Sequence, residues 1–242
     1  MGKQVLKGIH KFRQIEVVPG GAAYGFNGFR NPLGRVYFVN NITGSSTSLG
    51  VTWDTAMDEP STAITASEVY RQDRGSVSTN DYIRNTIILQ ATGTAYSAIS
   101  ALPNYTDIIG LGANPRGNGA GIVRIDGGGS ADAMAGTARG LGLYNLQAMQ
   151  SSAGSFYGLD LATCFRSTFE DMGFVNNGSA GIRVVQGGSI VMNNCHAGHD
   201  TVAQLYGLYV AGGSNFNACL IENCDFFGDT AGVYLSNTTM KE

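Results

Sequence analysis

The sequence predicts an all-β fold, a parallel β-helix in which short strands coil into a stack of similar turns. A composition hostile to helices and two repeats that run in step predict it. Glycine supplies 35 of the 242 residues, roughly twice its average share, and charged residues only 14% against a usual quarter or so. Helical bundles and coiled coils need strong helix formers on every exposed face, which this chain does not have. A hydrophobic content of 43%, with 11 Tyr and 11 Phe, is nevertheless enough to bury a core, so the chain is not of the disordered class.

The first repeat is a glycine followed by alternating apolar residues. It occurs as Gly158-Leu159-Asp160-Leu161, Gly181-Ile182-Arg183-Val184, Gly207-Leu208-Tyr209-Val210 and Gly232-Val233-Tyr234-Leu235, at spacings of 23, 26 and 25 residues. Such alternation marks a half-buried strand. A looser member, Gly121 to Ile125, lies 37 residues before Gly158. The second repeat sets Asn or Asp between apolar residues: Leu143 to Ala148, Phe169 to Phe174, Met192 to Ala197 and Ile221 to Phe226. Two strands meeting at a bend explain it, because Asn and Asp tolerate the left-handed backbone and leave the flanking apolar residues facing in. Stacked turn on turn, Asn145, Asp171, Asn194 and Asn223 form an expected ladder in which each side chain bonds its neighbour about 4.8 Å away. Two apolar stacks are expected beneath it: Leu146, Met172, Cys195 and Cys224, then Ala148, Phe174, Ala197 and Phe226.

Glycine pairs such as Gly187-Gly188 and Gly212-Gly213, with the run Gly127 to Gly129, complete the unit as corners, since glycine takes the positive φ of a sharp turn. Three short strands and two corners in about 25 residues describe one turn of a parallel β-helix, and roughly six or seven such turns are expected from Val36 onward. Propeller blades need roughly 40 residues and leucine-rich repeats need a leucine in most inward slots, so neither fits.

Upstream, Val36 to Val39 has the pattern of a first strand, and Thr86 to Gln90 and Thr106 to Gly112 supply strands of an early turn. Pro60 after Asp58 and Glu59 marks a helix start, so a helix over about 60–73 is expected. It should cover the N-terminal end of the solenoid, where the first turn otherwise exposes an unpaired edge and the ends of the apolar stacks. The segment from Gly232 to Glu242 shows no equivalent helix, so a partner or further chain is expected to cover the opposite end. The chain thus divides into an arm at 1–34 and a β-helix at 35–242.

Charge separates the two parts. Residues 1 to 35 carry Lys3, Lys7, Lys11, Arg13, Arg30 and Arg35 against Glu16, a balance of +5 that leaves −8 for the rest of a chain whose net charge is −3. A basic arm on an acidic body predicts that the arm docks onto a partner; nothing in it resembles a nucleic-acid motif. No apolar run of about 18 residues and no secretory leader appear, so the chain is expected to be soluble, made in the cytoplasm and not inserted in a membrane. Cys164, Cys195, Cys219 and Cys224 form no CxxC pair and are expected as reduced core residues.

The Pro60-Ser61-Thr62-Ala63-Ile64 helix start, the Thr106 to Gly112 strand running into Asn114-Pro115-Arg116-Gly117-Asn118-Gly119, and the Asn-bearing turns together resemble the right-handed, single-stranded parallel β-helix of the pectate-lyase-like superfamily, three short strands to a turn. The chain is similar above all to the versions found in bacteriophage tail spikes and other virion proteins, over roughly residues 36 to 242. That resemblance implies a virion protein, made in the host cytoplasm, that presents its β-helix for host-surface attachment as a tail spike, fibre or capsid-surface module. It implies a homotrimer held to other virion proteins through the arm. Alternative readings are a tail-spike polysaccharide depolymerase, hydrolase or lyase, and a secreted extracellular adhesin. The catalytic Arg and calcium-binding Asp cluster of pectate lyases have no residue-by-residue counterpart here, which counts against lyase chemistry, and no cofactor is expected.

Three sets of side chains remain as candidate sites. Alternation points Tyr144, Glu170, Asn193 and Glu222 outward in one row, and Gln147, Gly173, His196 and Asp225 in the next. Glu170 and Glu222 would stand two turns apart, about 9–10 Å, near the upper limit for an inverting glycosidase pair; as plain surface carboxylates they would keep the sheet soluble. His196, His199 and Asp200 hold two of the three histidines, in a spacing that matches no zinc signature and suits a solvated loop. A third row, Asp160, Arg183, Tyr209 and Tyr234, has the residues of a sugar-binding groove and equally those of a contact between chains, with a host surface glycan or a second copy as its partner.

Overall fold

The computed structural model describes residues 34–73, 83–117, 119–198, 201–211, 215–236 and 239–241. The expected arm at 1–34 lies outside the described residues except for Gly34. The remainder forms a parallel β-solenoid of about five turns. Its strands fall into three sheets. Sheet 1 runs from Val36–Val39 through Asn85–Gln90, Thr106–Leu111, Gly142–Tyr144, Thr168–Glu170 and Val191–Asn193 to Leu220–Glu222. Sheet 2 runs from Tyr96–Ser97 through Arg124–Asp126, Gln147–Met149, Gly173–Val175 and His196–Gly198 to Asp225–Phe226. Sheet 3 is built around the long strand Tyr157–Phe165, flanked by Met134–Arg139, Ala180–Val184, Tyr206–Val210 and Ala231–Leu235. The turn count is lower than expected because Val36–Val39 joins sheet 1 alone: the chain then loops back through a 3-10 turn at Trp53–Thr55 into a helix before the coil begins.

Parallel register carries each apolar residue directly over its equivalent one turn away. In sheet 1 the inward column is Tyr37, Ile87, Ile108, Leu143, Phe169, Met192 and Ile221, of which all but the last are at most 2% exposed. Sheet 2 contributes Tyr96, Ile125, Ala148, Phe174, Ala197 and Phe226, and sheet 3 Met134, Leu159, Ile182, Leu208 and Val233. Each fully buried aliphatic or aromatic side chain contributes about 1.5–3 kcal/mol, so the columns are the principal source of stability. They end differently. At the last turn Ile221, Val233 and Leu235 are 40–49% exposed. At the first turn helix α1, Pro60–Gln72, lays Ala63 and Ile64 over the columns, while Ser67 and Arg71 bond strand ends through Asn85, Thr106 and Asn104. Pro60 opens this helix, and the carboxylate of Glu59 binds the Ser97 backbone and hydroxyl instead of capping it.

Corners follow two designs. Asn145, Asp171, Asn194 and Asn223 all take φ of 53–54°, the left-handed region in which a short polar side chain is tolerated. Their backbones form a continuous ladder, with the N–H of Asn145, Asp171 and Asn194 donating to Glu170, Asn193 and Glu222 of the next turn at 3.1 Å. Their side chains do not all pair with one another. Asn194 donates to Asp171, whereas Asn145 reaches the carbonyls of Gly110 and Gly112 and Asn223 reaches Asn193. The glycine corners require correction. Gly187–Gly188 is a strand paired with Cys164 and Phe165, and the bend beside it falls on Ser189, with Arg166 and Ala218 at equivalent places, φ 50–54°. Gly187 is small for a packing reason, since a Cβ there would lie 2.8 Å from Ile190. Gly128 and Gly129 do take positive φ; Gly212 and Gly213 lie outside the described residues.

Candidate functional site

The outward rows of the three sheets hold the described side chains that the sequence singled out as candidate sites. On sheet 1 the register places Tyr144, Glu170, Asn193 and Glu222 side by side. Glu170 and Glu222 are therefore two strand spacings apart, about 9–10 Å. Between them stands Asn193, whose side-chain oxygen is held by Asn223 at 3.2 Å. Glu222 is exposed and Glu170 half-buried. Further up this face is an ion pair that the sequence did not announce: Arg84 grips Asp107 through Nε at 2.8 Å and donates to the Gly140 carbonyl at 2.6 Å. Gly142 makes room for it, because a Cβ there would strike the Asp107 carboxylate.

Sheet 2 brings Gln147, Gly173, His196 and Asp225 into one outward row. The upper half of that row is not solvent-exposed as alternation alone implies. The loop that connects Thr106–Leu111 to Arg124–Asp126 lies across it as a strap. Gln147 donates to the Pro115 and Gly117 carbonyls at 2.7 and 3.0 Å, and Gly173 passes so close to Pro115 that a Cβ would meet its oxygen at 2.2 Å. Arg116, turned outward by an Asn114 side chain that accepts its backbone N–H, then reaches the last turns: Asp225 at 2.8 Å, Asn194 at 2.8 Å and the Asn223 carbonyl at 3.3 Å. His196 packs its ring against Phe227. His199 and Asp200 lie outside the described residues, and among the described residues no three His, Cys, Asp or Glu side chains converge.

Sheet 3 aligns Asp160, Arg183, Tyr209 and Tyr234 in consecutive turns, with Tyr157, Ala180, Tyr206 and Ala231 in a parallel row. The alternation of tyrosine with alanine in the second row leaves space into which rings from the first can lean. Tyr206, Tyr209 and Tyr234 pack together at centroid separations of 4.9–5.7 Å with planes within 28° of parallel. The three rings thus spend part of their faces on one another. Arg183 forks onto Asp160 at 2.7 and 3.0 Å and lies over the Tyr157 ring at 4.5 Å. Burial holds the Asp160 carboxyl above its ordinary range, outweighing the guanidinium beside it. The pair is internally satisfied, and Tyr234, 41% exposed, is the outer edge of the aromatic patch.

Sequence reasoning also missed a buried amide column at the corner between sheets 2 and 3. Gln150, Asn177 and Gln204 are at most 1% exposed. Gln150 donates to the Ala131 carbonyl, Asn177 to that of Ala148 and Gln204 to that of Phe227, while Gln204 accepts the Asn177 backbone N–H at 3.2 Å. These side chains supply donors to the carbonyls of this corner, while Asn177 Oδ1 is buried there without a hydrogen-bond partner. No family model, no curated protein and no solved structure matches the chain.

Proposed function

We propose that this chain is a structural, non-enzymatic module of a virion: a right-handed β-helix with three short strands in each turn, attached to the particle by its basic arm and presenting the solenoid to the host surface as one of three identical copies. The three-sheet solenoid and the resemblance of its Asn-bearing turns to virion β-helices support the architecture and the setting. One observation carries the mode of action. The outer face of sheet 3 bears a cluster of three tyrosines beside an Arg183–Asp160 pair whose charges already meet, with Tyr234, 41% exposed, at its edge. Aromatic residues and arginine on an apolar patch, with charges already paired, are the composition of an interface core. Rings packed on one another leave less free face for a sugar, which favours contact between copies over a glycan groove on this surface.

Sedimentation of the full chain at micromolar concentration tests the reading. A trimer is expected, and the double variant Tyr209→Ser with Tyr234→Ser should sediment as a monomer with an unchanged β-sheet spectrum. A stable wild-type monomer overturns the assembly. Incubation with host capsular or cell-wall polysaccharide should yield no new reducing ends or unsaturated uronates; product that disappears in Glu170→Gln or Glu222→Gln would replace this reading with a depolymerase.

A further inference from the structure

Cys195 and Cys224 occupy the same inward column at the Asn corner, one turn apart. Pairing of Asn193 with Glu222 on one side and of His196 with Asp225 on the other fixes them in register, so their Cα atoms stand a strand spacing apart, about 4.8 Å. That separation falls inside the range over which disulfides close, roughly 4.4–6.8 Å. The Cys195 backbone N–H points at the Cys224 sulfur at 3.4 Å, and each thiol also lies against backbone carbonyls of its own corner, Cys195 against Asn193 and Cys224 against Glu222. Both are free.

Their surroundings are unequal. Cys195 is fully buried beneath Met172, while Cys224 is partly exposed in the last turn. The Arg116 guanidinium bonds the residues on either side of Cys224, Asn223 and Asp225, and so brings positive charge beside that sulfur. The hydrogen bond from the Cys195 thiol, then the Cys195 N–H and Arg116, hold the Cys224 thiol below its ordinary pKa against the opposing effect of burial. Cys195 is held above its own by the same bond and by burial. The accessible partner is therefore the nucleophile, and the buried partner can act only on a sulfur already beside it. Cys164, by contrast, is buried and pushed up to about 11 by desolvation, and burial raises Cys219 too.

We infer that Cys195 and Cys224 form a dithiol site that a low-molecular-weight disulfide converts to an inter-turn disulfide, stitching the last turn to the one before it. The Cys224 thiolate attacks one sulfur of oxidised glutathione, forming a mixed disulfide and releasing one glutathione thiolate. That thiolate takes up the proton lost from Cys195, whose sulfur attacks the Cys224 sulfur and expels the second glutathione. Two protein thiols are oxidised and one glutathione disulfide is reduced. The site is independent of the sheet 3 face and of whether that face holds copies together.

The test is to incubate the folded full chain with oxidised glutathione, quench in acid, alkylate and map peptides without reduction. Wild type should yield a cross-link between the peptides of Cys195 and Cys224. Cys195→Ser should stop at a glutathione adduct on Cys224, and Cys224→Ser should leave Cys195 free. A stable adduct on wild-type Cys224, no reaction at Cys224, or a cross-link through Cys164 or Cys219 instead would each overturn the proposal. If either variant fails to fold, the wild-type map decides alone.

Discussion

The outer faces of sheets 2 and 3 are made from strands of similar register, yet one is covered over its upper half by the chain itself and the other is left bare. Over sheet 2 the strap at Pro115 to Gly117 buries Gln147 and Gly173 and anchors Arg116 three turns away. Over sheet 3 no described segment crosses the tyrosine cluster. A solenoid has few ways to differentiate faces of one repeat, and this contrast shows two: an insertion that doubles back over its own turns, and side chains large enough to form a surface by themselves. The first seals part of a face. The second leaves a face whose apolar rings lack a cover.

The contrast can be broken most severely at Gly173. In Gly173→Ala the new methyl would stand 2.2 Å from the Pro115 oxygen, so the strap must lift and the buried Gln147 amide loses both its acceptors. Together these should destabilise the protein by about 2–4 kcal/mol in chemical denaturation. Cleavage after Arg116 by trypsin under native conditions should become fast as the strap is released. A variant as stable and as resistant as wild type would show that the strap does not depend on this glycine.

The next effect, at the buried amide column, bears on what a sequence can announce. Gln204→Leu leaves the buried Asn177 N–H and the partly buried Phe227 carbonyl without their partner, an expected loss of about 1–3 kcal/mol in the same experiment. Asn194→Gly, at the visible corner, should lose about 1 kcal/mol, since glycine accepts the same backbone conformation and the two side-chain bonds that disappear, to Asp171 and from Arg116, are partly exposed. The visible column is the energetically lesser one. Asn145, Asp171, Asn194 and Asn223 could be found because a left-handed residue favours Asn and Asp, a constraint on residue type at fixed spacing. Arg166, Ser189 and Ala218 take the same backbone angles with no such signature, and the glycines nearby drew the corner to the wrong place. Gln150, Asn177 and Gln204 share a column but not a residue type, because each meets a different set of carbonyls. The strap was legible only as a loop. Its trace in the sequence is Gly173, a glycine in an outward slot where the neighbouring turns carry Gln147, His196 and Asp225.

A smaller effect separates sealing from stabilising. The Arg116–Asp225 pair has side chains 33% and 50% exposed, so Arg116→Ala should change stability by under about 1 kcal/mol. Gln147 should still hold the strap through backbone carbonyls, and hydrogen exchange of the Gly173–Val175 strand should stay slow. Exchange as fast as in Gly173→Ala would transfer the sealing role from the backbone contact to the guanidinium.

The claim that the bare face is a contact between copies is tested most directly by nitrating the tyrosines across a dilution series and mapping the products. Reactivity of Tyr209 and Tyr234 should fall as concentration rises and the chain assembles, while Tyr70 on helix α1 reacts alike throughout. Equal reactivity of Tyr209 and Tyr234 from the most dilute to the most concentrated sample would contradict it.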